Sequence, residues 1–159
     1  MAVILVQAQT DQHWQQARLL VEEYAAALGV DLSFQDFGRE VAHLAGEYGP
    51  PAGAFLLACD DGEPLGCIAL RPHAPGTGEI KRLYLRPPAR GRGVGRQLAT
   101  TAIAAARDRG YTRLLLDTLP TMAEAQALYL SLGFRPIAPY RFNPVPGTVY
   151  MELILADGG

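Results

Sequence analysis

The chain lacks an excess of positive charge, a long apolar run and a basic N-terminal segment, and each absence excludes a class of protein. Fourteen basic residues against 16 acidic ones give a net charge of −2, which argues against nucleic acid as the main partner. No stretch approaches the ~20 apolar residues of a membrane span. The apolar run 2–6 is too short for a signal peptide and has no basic flank. We therefore expect a cytoplasmic protein that binds neither nucleic acid nor a membrane.

Groups that bind metals are also scarce. The only two cysteines, Cys59 and Cys67, lie in neighbouring strand-like runs. We expect both to be buried free thiols, because cysteine is among the most buried residue types. The three histidines, His13, His43 and His73, do not have the spacing of zinc ligands. No metal site is expected.

What the sequence does contain is typical of one globular domain. Its 159 residues are 49% hydrophobic and 19% charged, as in ordinary folded proteins. A chain of this length buries roughly two thirds of its unfolded surface. The sequence shows no linker, repeat or low-complexity segment, so we expect a single domain over residues 1–159.

The most informative segment is a glycine-rich loop, R-G-R-G-V-G, at residues 90–95. It follows a strand-like run at 79–85 and precedes a helical apolar stripe at 94–109. Glycine allows the backbone to approach a ligand closely, and the free N–H groups and dipole of the following helix attract an anion. Six of the 14 basic residues lie at 81–96 with no acid between them. The segment predicts a phosphate-binding site; the alternative is a surface loop with solvated arginines.

Two common phosphate-binding motifs do not fit this loop. A Walker-type loop ends in Gly-Lys-Ser/Thr, whereas this loop continues as Gly95-Arg96-Gln97. A dinucleotide fingerprint has the spacing G-x-G-x-x-G and an acid about 20 residues further on. Here the spacing is G-x-G-x-G, and residues 113–116 contain no acid. The phosphate is therefore expected to belong to another kind of ligand.

Two motifs in this order resemble those of the GNAT acetyltransferases. The spacing Arg90-x-x-Gly93-x-Gly95 is similar to the family's Q/R-x-x-G-x-G/A signature, and residues 123–134 resemble its A-x-x-L-Y-x-x-L-G-F helix. The closest resemblance is to small bacterial members with the run E-I-K-R-L-Y, which stands here at 79–84. The resemblance spans residues 54–155. It implies an enzyme that transfers an acetyl group from acetyl-CoA to a primary amine of a small molecule or peptide.

The order of the predicted elements, βααβββαβαββ, is that of the GNAT fold. The resemblance implies an α+β, three-layer architecture with helices on both faces of a mixed, mostly antiparallel sheet. A hairpin is expected at 60–63, and the second helix is expected to bury Val41, Leu44 and Ala45. The predicted strands are 3–8, 54–59, 65–71, 79–85, 112–117, 134–139 and 148–155. The predicted helices are 11–28, 37–48, 94–109 and one that begins at a Thr121/Glu124 capping box and ends at Gly133.

The resemblance also assigns residues that bind acetyl-CoA. Backbone N–H groups at 91–96 hold the pyrophosphate, while backbone groups of Leu83 and Leu85 hold the pantetheine arm and the thioester carbonyl. Basic side chains of the loop reach the pyrophosphate or the ribose phosphate. Met122 stands where many relatives have an asparagine that contacts the CoA arm, which argues against that contact here. The expected set is Leu83, Tyr84, Leu85, Arg90, Gly91, Arg92, Gly93, Val94, Gly95 and Arg96.

Three residues are expected to carry the chemistry. The tyrosine of the family's helix motif matches Tyr129, whose phenol can protonate the departing CoA thiolate. Either of two acids can match the base that deprotonates the amine. Glu79 has the position of the glutamate in the histone-acetylating branch, and Asp117 that of the glutamate in the ribosomal-protein-acetylating branch. A chain of waters is the third alternative.

The acceptor site is placed by fold analogy only. Lys81 and Arg82 are expected either as surface charges of a strand or as ligands. A non-catalytic acyl-CoA-binding module of the same fold and a different phosphate-binding protein are the alternatives to an enzyme, and the oligomeric state, monomer or homodimer, is open. The candidate acceptor-site residues are Phe34, Phe37, Tyr140, Arg141 and Asn143.

Overall fold

The computed structural model describes residues 2–29 and 37–155, which form a seven-stranded sheet with helices on both faces. One turn of 3₁₀ helix, Pro87–Ala89, precedes the fourth helix. The strands are β1 (Val3–Gln7), β2 (Ala54–Asp60), β3 (Glu63–Ala74), β4 (Thr77–Leu85), β5 (Arg113–Thr118), β6 (Arg135–Ile137) and β7 (Val149–Ile154). The helices are α1 (Asp11–Leu28), α2 (Phe37–Ala42), α3 (Leu44–Tyr48), α4 (Val94–Asp108) and α5 (Ala123–Ser131).

The sheet has the strand order β1-β2-β3-β4-β5-β7-β6. Every neighbouring pair is antiparallel except β4 and β5, which are parallel. The expected mixed, mostly antiparallel sheet is therefore confirmed. The β2–β3 connection is the expected hairpin: Asp61 and Gly62 have φ values of 49° and 80°, as in a type I′ turn, whose twist matches that of the flanking strands.

The sheet separates two apolar cores. On one face, α4 and α5 bury side chains that include Leu98 and Tyr129. On the other face, α1 and α3 bury Leu20 and Tyr48. The helical spacing of apolar residues fixes which side of each helix faces the sheet, because that side removes most apolar area from water. Both cysteines are buried free thiols, as expected.

A gap opens between the two parallel strands at the centre of the sheet. β4 and β5 pair only through residues 77–79 and 113–115. Beyond Glu79, β4 stays paired with β3 as far as Leu85, and β5 stays paired with β7 as far as Thr118. The two strands therefore diverge and leave room between them for a ligand.

A β-bulge in β4 accompanies this divergence. Cys67 of β3 pairs with Tyr84, and Ala69 pairs with Lys81, so β4 has one more residue than β3 over this interval. The extra residue is Arg82, whose φ of 62° lies in the left-handed region. A bulge of this kind bends the strand and interrupts the alternation of its side chains.

The predicted helix 37–48 is interrupted, contrary to expectation. It forms α2 and α3, which meet at His43 with φ of −136° and ψ of 42°. Ala45 is exposed, and the buried residue of α2 is Glu40 instead, because it forms an ion pair with Arg82. The spacing of apolar residues contains no signal for a buried carboxylate whose partner lies 42 residues away.

The predicted loop 72–78 is wrong. β3 continues to Ala74 and β4 begins at Thr77, so the two strands form a tight hairpin. Gly76 has a φ of 74° there, a conformation that glycine adopts without a steric cost.

Two expectations near α5 are also wrong. The N-cap of α5 is Met122, without a side-chain cap hydrogen bond among the described residues, so the capping box at Thr121 does not form. The next strand, β6, covers Arg135–Ile137 rather than 134–139. Pro139 lacks an N–H group to donate to the ladder, which disfavours continued pairing.

Candidate active site

A groove of about 630 Å³ occupies the gap between β4 and β5. Leu83, Tyr84 and Leu85 of β4 form one wall, and residues of α1 and α5 form the others. In the described part of the chain, this edge of β4 has no paired strand beyond Glu79. Its backbone N–H and C=O groups can therefore bind an extended ligand as a neighbouring strand would.

The glycine loop lies at one end of the groove and begins α4. Gly91 and Gly93 have φ values of 73° and 77°, which favour glycine. A Cβ atom at either position would meet nothing within 4 Å, so there is open space beside the backbone. Gly93 is the N-cap of the 15-residue helix and has no side chain to satisfy the first N–H groups. The side chain of Val94 is buried in the core, so only its backbone faces the loop, which fits an anionic pyrophosphate.

Arg90, Arg92 and Arg96 are all exposed, and Arg90 and Arg96 contact different parts of the protein. Arg90 lines the groove and donates from Nε to the carbonyl oxygen of Leu85 at 3.1 Å. Arg96 donates to Oγ of Ser131 at 2.8 Å. The first turn of α4 contains no acid. The positive charge around the helix N-terminus is therefore not neutralised by this turn, which favours an anionic ligand.

A cavity of about 30 Å³ continues the groove toward β5. The two spaces share Tyr24, Leu28 and Met122 as walls. An acyl group in the groove would reach an acceptor in the cavity at this junction. Sequence reasoning missed Tyr24 as a site residue, because its only signal was a place in the apolar stripe of α1. The other walls of the cavity are Lys81, Arg82, Asp117, Thr118, Leu119 and Asn143.

Lys81 and Arg82 are buried walls of the cavity, with 6% and 4% of their surfaces exposed. Regular alternation would place consecutive strand residues on opposite faces of the sheet. The bulge in β4 explains why both side chains reach the same cavity. Arg82 donates two hydrogen bonds of 2.8 Å to Glu40, and its guanidinium lies 5.5 Å from the centre of the Phe37 ring. The interpretation as surface charges is wrong.

Burial lowers the pKa of the Lys81 ammonium, and the charge of Arg82 lowers it further, to about 7. Arg71 acts in the same direction, while Glu79 and Asp117 oppose the shift. At neutral pH the charged form of this lysine is therefore only marginally stable.

Glu79 is fully buried and accepts hydrogen bonds at both carboxylate oxygens. Nε of Arg71 donates to Oε1 at 3.0 Å. The hydroxyl of Tyr140 donates to Oε2 at 2.7 Å, and Nη2 of Arg141 lies 2.8 Å from the same oxygen. Burial would raise the pKa of this carboxyl, but the charges of Lys81, Arg141 and Arg71 outweigh it and hold the pKa below its usual value. An engaged carboxylate of this kind is a poor proton acceptor.

Asp117, near the end of β5, is in a different situation. It lines the cavity together with Lys81. Its Oδ2 atom is buried without a hydrogen-bond partner among the described residues. A buried polar atom that lacks a partner is costly in a folded protein, and an amine in the cavity would supply the missing donor.

Tyr129 is 5% exposed, and its ring packs against Phe134 with the centroids 5.3 Å apart. Its neighbours Ala125 and Leu128 line the groove. Burial raises the pKa of Tyr129, with a smaller contribution from Tyr24. The phenol is protonated at neutral pH, but its raised pKa makes it a weaker acid than an ordinary tyrosine.

The loop between β6 and β7 supplies the remaining candidates. The hydroxyl of Tyr140 donates a hydrogen bond to Glu79, and the guanidinium of Arg141 forms an ion pair with it. Asn143 lines the cavity. Phe37 packs against Arg82. Phe34 lies outside the described residues.

Comparison with known proteins identifies the family. Residues 14–134 match the family described as "Acetyltransferase (GNAT) family". The chain belongs to the GNAT acetyltransferase family. It is 44% identical over 138 residues to an uncharacterised N-acetyltransferase of Schizosaccharomyces pombe, a match that covers 86% of this chain and 85% of the relative. This relative is fungal, so the expected kinship with small bacterial members in particular is not confirmed.

Solved GNAT structures share the fold. An acetyltransferase of the family from Staphylococcus aureus superposes with a TM-score of 0.80 at 17% identity, covering 97% of this chain and 99% of the other. The PaiA N-acetyltransferase of Thermoplasma acidophilum, solved in complex with coenzyme A, gives a TM-score of 0.72 at 16% identity, with 97% and 99% of the two chains covered. The expected GNAT fold is thereby confirmed.

Family membership and the N-acetyltransferase relative show an acetyl-CoA-dependent acyltransferase. Within residues 2–29 and 37–155, no group of three or more histidines, cysteines or acids could hold a metal ion. No helix in these ranges is long and apolar enough to cross a membrane.

Proposed function

We propose that this GNAT enzyme transfers the acetyl group of acetyl-CoA directly to a primary amine of a small molecule or peptide. The observation that carries the proposal is one continuous path through the molecule. It leads from the glycine loop along the free edge of β4, past Tyr24, Leu28 and Met122, to Asp117. One carboxylate oxygen of Asp117 has no hydrogen-bond partner within residues 2–29 and 37–155. The path offers an anion site at one end and an amine site at the other.

The CoA moiety occupies the groove in this proposal. Backbone N–H groups of residues 91–96 hold the pyrophosphate at the positive end of α4, and Arg90, Arg92 and Arg96 supply counter-charge. Backbone groups of Leu83 and Leu85 hold the pantetheine arm and direct an N–H group at the thioester oxygen. Such an N–H group stabilises the negative charge that develops on this oxygen when the amine attacks.

Asp117 and Glu79 have different roles in this proposal. Asp117 faces the amine, holds its ammonium form and accepts a proton, directly or through water, so that the nitrogen can attack the thioester carbon. Glu79 acts instead as a positioning residue. It joins β3, through Arg71, to the loop that carries Tyr140 and Arg141, and so shapes the acceptor side of the cavity.

Tyr129 completes the reaction in this proposal. When the carbon–sulfur bond of the thioester breaks, the CoA thiolate leaves with the electron pair and takes a proton from the Tyr129 hydroxyl. Solvent returns that proton to the phenolate. The support is the match of this residue to the tyrosine of the family's helix motif and its place on α5, next to Ala125 and Leu128 of the groove wall.

The experiment is an acceptor screen that measures free thiol. Purified protein is mixed with acetyl-CoA and a panel of primary amines, with amine-free reactions as the control for hydrolysis. Amine-dependent thiol release, with the acetylated amine detected by mass spectrometry, supports the proposal. Tight acetyl-CoA binding without thiol release for any amine would instead favour the acyl-CoA-binding module.

The remaining features of the protein are proposed on the same basis. We propose that residues 1–159 act as one domain whose partners are acetyl-CoA and the amine. The reaction takes place in the cytoplasm and needs no metal, nucleic acid or membrane.

A further inference from the structure

The charged walls of the acceptor cavity are of mixed sign. Nine described residues line the cavity, of which Lys81, Arg82 and Asp117 are charged. A polycationic acceptor, such as a polyamine, would bring further positive charge next to Lys81 and next to the ion pair of Arg82 with Glu40. Like charges at short distance in a buried site repel strongly, so this chemistry is disfavoured.

The charge of Arg82 is already paired with that of a buried acid. Its Nε and Nη2 atoms donate to the two oxygens of Glu40, both at 2.8 Å, and both side chains are 2% exposed. Tyr24 and Phe37 flank the guanidinium at 5.7 and 5.5 Å. Among the described residues, Lys81 and Asp117 are the other charged walls of the acceptor cavity.

The charges around Lys81 favour the binding of an anion beside it. Arg82 and Arg71 repel its ammonium form, and burial adds to the cost of this form. Asp117 and Glu79 offset only part of the cost, and Glu79 is shared with two arginines. A carboxylate placed beside Lys81 would stabilise the ammonium. An ammonium has three donors, so this role does not require the lysine to lack other contacts.

We propose that the amine acceptor carries a carboxylate near its amino group, that Lys81 receives this carboxylate, and that Asp117 faces the amino group. Both residues line the same small cavity at the end of the groove, so the two groups of the acceptor must be close in its covalent structure. The acceptor is therefore an amino acid or an amine of amino-acid type. This inference rests on the proposed acetyl transfer and specifies the substrate class of that site.

The test compares matched acceptors. Each common amino acid is assayed beside its amide, with acetyl-CoA saturating and thiol release as the readout. The amino group of the amide is the less basic and is more often neutral at pH 7, so the amide reacts faster unless the carboxylate is bound. We expect kcat/KM for at least one free acid to exceed that of its amide by at least tenfold.

Lys81→Met then identifies the residue that recognises the carboxylate. It removes the positive charge but keeps an unbranched side chain of similar length, so we expect the acid-to-amide ratio to fall to near one with acetyl-CoA affinity unchanged. Arg18→Met, on the exposed face of α1, is the control for loss of a cation elsewhere. The wild-type ratio is decisive even if Lys81→Met does not fold.

Each outcome has a distinct meaning. Amides or simple amines acetylated as fast as the acids would overturn the carboxylate inference and leave acetyl transfer intact. Equal losses for acid and amide in Lys81→Met would also overturn it, since the lysine would then act on the reaction rather than on the carboxylate. Acetyl-CoA binding without turnover of any acceptor would refute the proposed function itself.

Discussion

The Glu79→Gln substitution separates a positioning role from a base role. The glutamine would keep the shape of the side chain but replace one carboxylate oxygen with an NH₂ group that faces the donors of Arg71 or Arg141 and Tyr140. Removing one charge of a buried ion pair costs about 3–5 kcal/mol, and the new amide retains one acceptor, so we expect unfolding to be easier by about 3 kcal/mol. For a chain of this length this lowers Tm by roughly 6–12 °C.

The pH dependence of stability provides a second readout of the same variant. The pKa of Glu79 is lowered in the folded protein from its ordinary value of 4.5. Its ionised form therefore contributes stability above pH 4.5, and this contribution is lost as the pH falls through the lower folded value. The wild-type protein should lose stability more steeply than Glu79→Gln below pH 4.5. The control is Glu22→Gln, which removes an exposed i,i+4 pair with Arg18 and should cost under ~0.5 kcal/mol.

The assay is thermal and urea unfolding between pH 3 and 8, together with kcat and KM for a true acceptor. As a positioning residue, Glu79 should affect acceptor KM more than acetyl-CoA affinity, and the acidic limb of the pH–rate profile should persist in Glu79→Gln. If Glu79→Gln keeps the stability of the wild type but loses the acidic limb, the carboxylate is the base, and the reasoning from its two hydrogen bonds and its ion pair with Arg141 is refuted.

Three further substitutions test the groove and the chemistry. Gly93→Val should weaken acetyl-CoA binding at least tenfold by calorimetry, roughly 1.4 kcal/mol. The control is Gly110→Val, at another left-handed glycine far from the groove, which should share the backbone strain and keep the affinity. Equal affinities in the two variants would contradict the pyrophosphate site. Asp117→Asn should lower turnover at least tenfold without lowering Tm, because Oδ2 has no partner to lose among the described residues; a wild-type rate would exclude Asp117 as the base. Tyr129→Phe should preserve Tm and CoA affinity but reduce turnover by about 10²–10⁴-fold, less where water substitutes; an unchanged rate with chemistry limiting would make the tyrosine structural.

Local patterns predicted the parts of the molecule that depend on local physics. The glycine loop preceded a helix, and α4 does begin at Val94 because the left-handed conformation of Gly93 turns the chain into it. The turn at 60–63 was sufficient for the hairpin, and the apolar stripes at 11–28 and 94–109 were sufficient for α1 and α4. The family motifs supplied the architecture, a mixed, mostly antiparallel sheet with helices on both faces, which no local pattern contains.

The acceptor cavity could not be predicted in the same way. One extra residue in β4 places Lys81 and Arg82 on the same side, whereas strict alternation separates them. The ion pair of Arg82 with Glu40 joins residues 42 positions apart, and the helix that carries Glu40 is too short to show a periodic pattern. Sequence reasoning foresees such a site only when the position of a bulge is known in advance.

The pairing of Glu40 with Arg82 limits how the specificity of this enzyme can diverge. Replacing α2 to admit a different amine would remove Glu40, the partner of the buried Arg82. Arg82 already has a left-handed backbone conformation, and it lies on β4, which forms the groove wall. A change of acceptor made in this way would therefore also disturb the groove that binds acetyl-CoA. Asn143 lines the same cavity from a surface loop, where its Oδ1 atom accepts a hydrogen bond from the N–H group of the nearby Val145. Substitutions that change the acceptor should therefore occur first at Asn143.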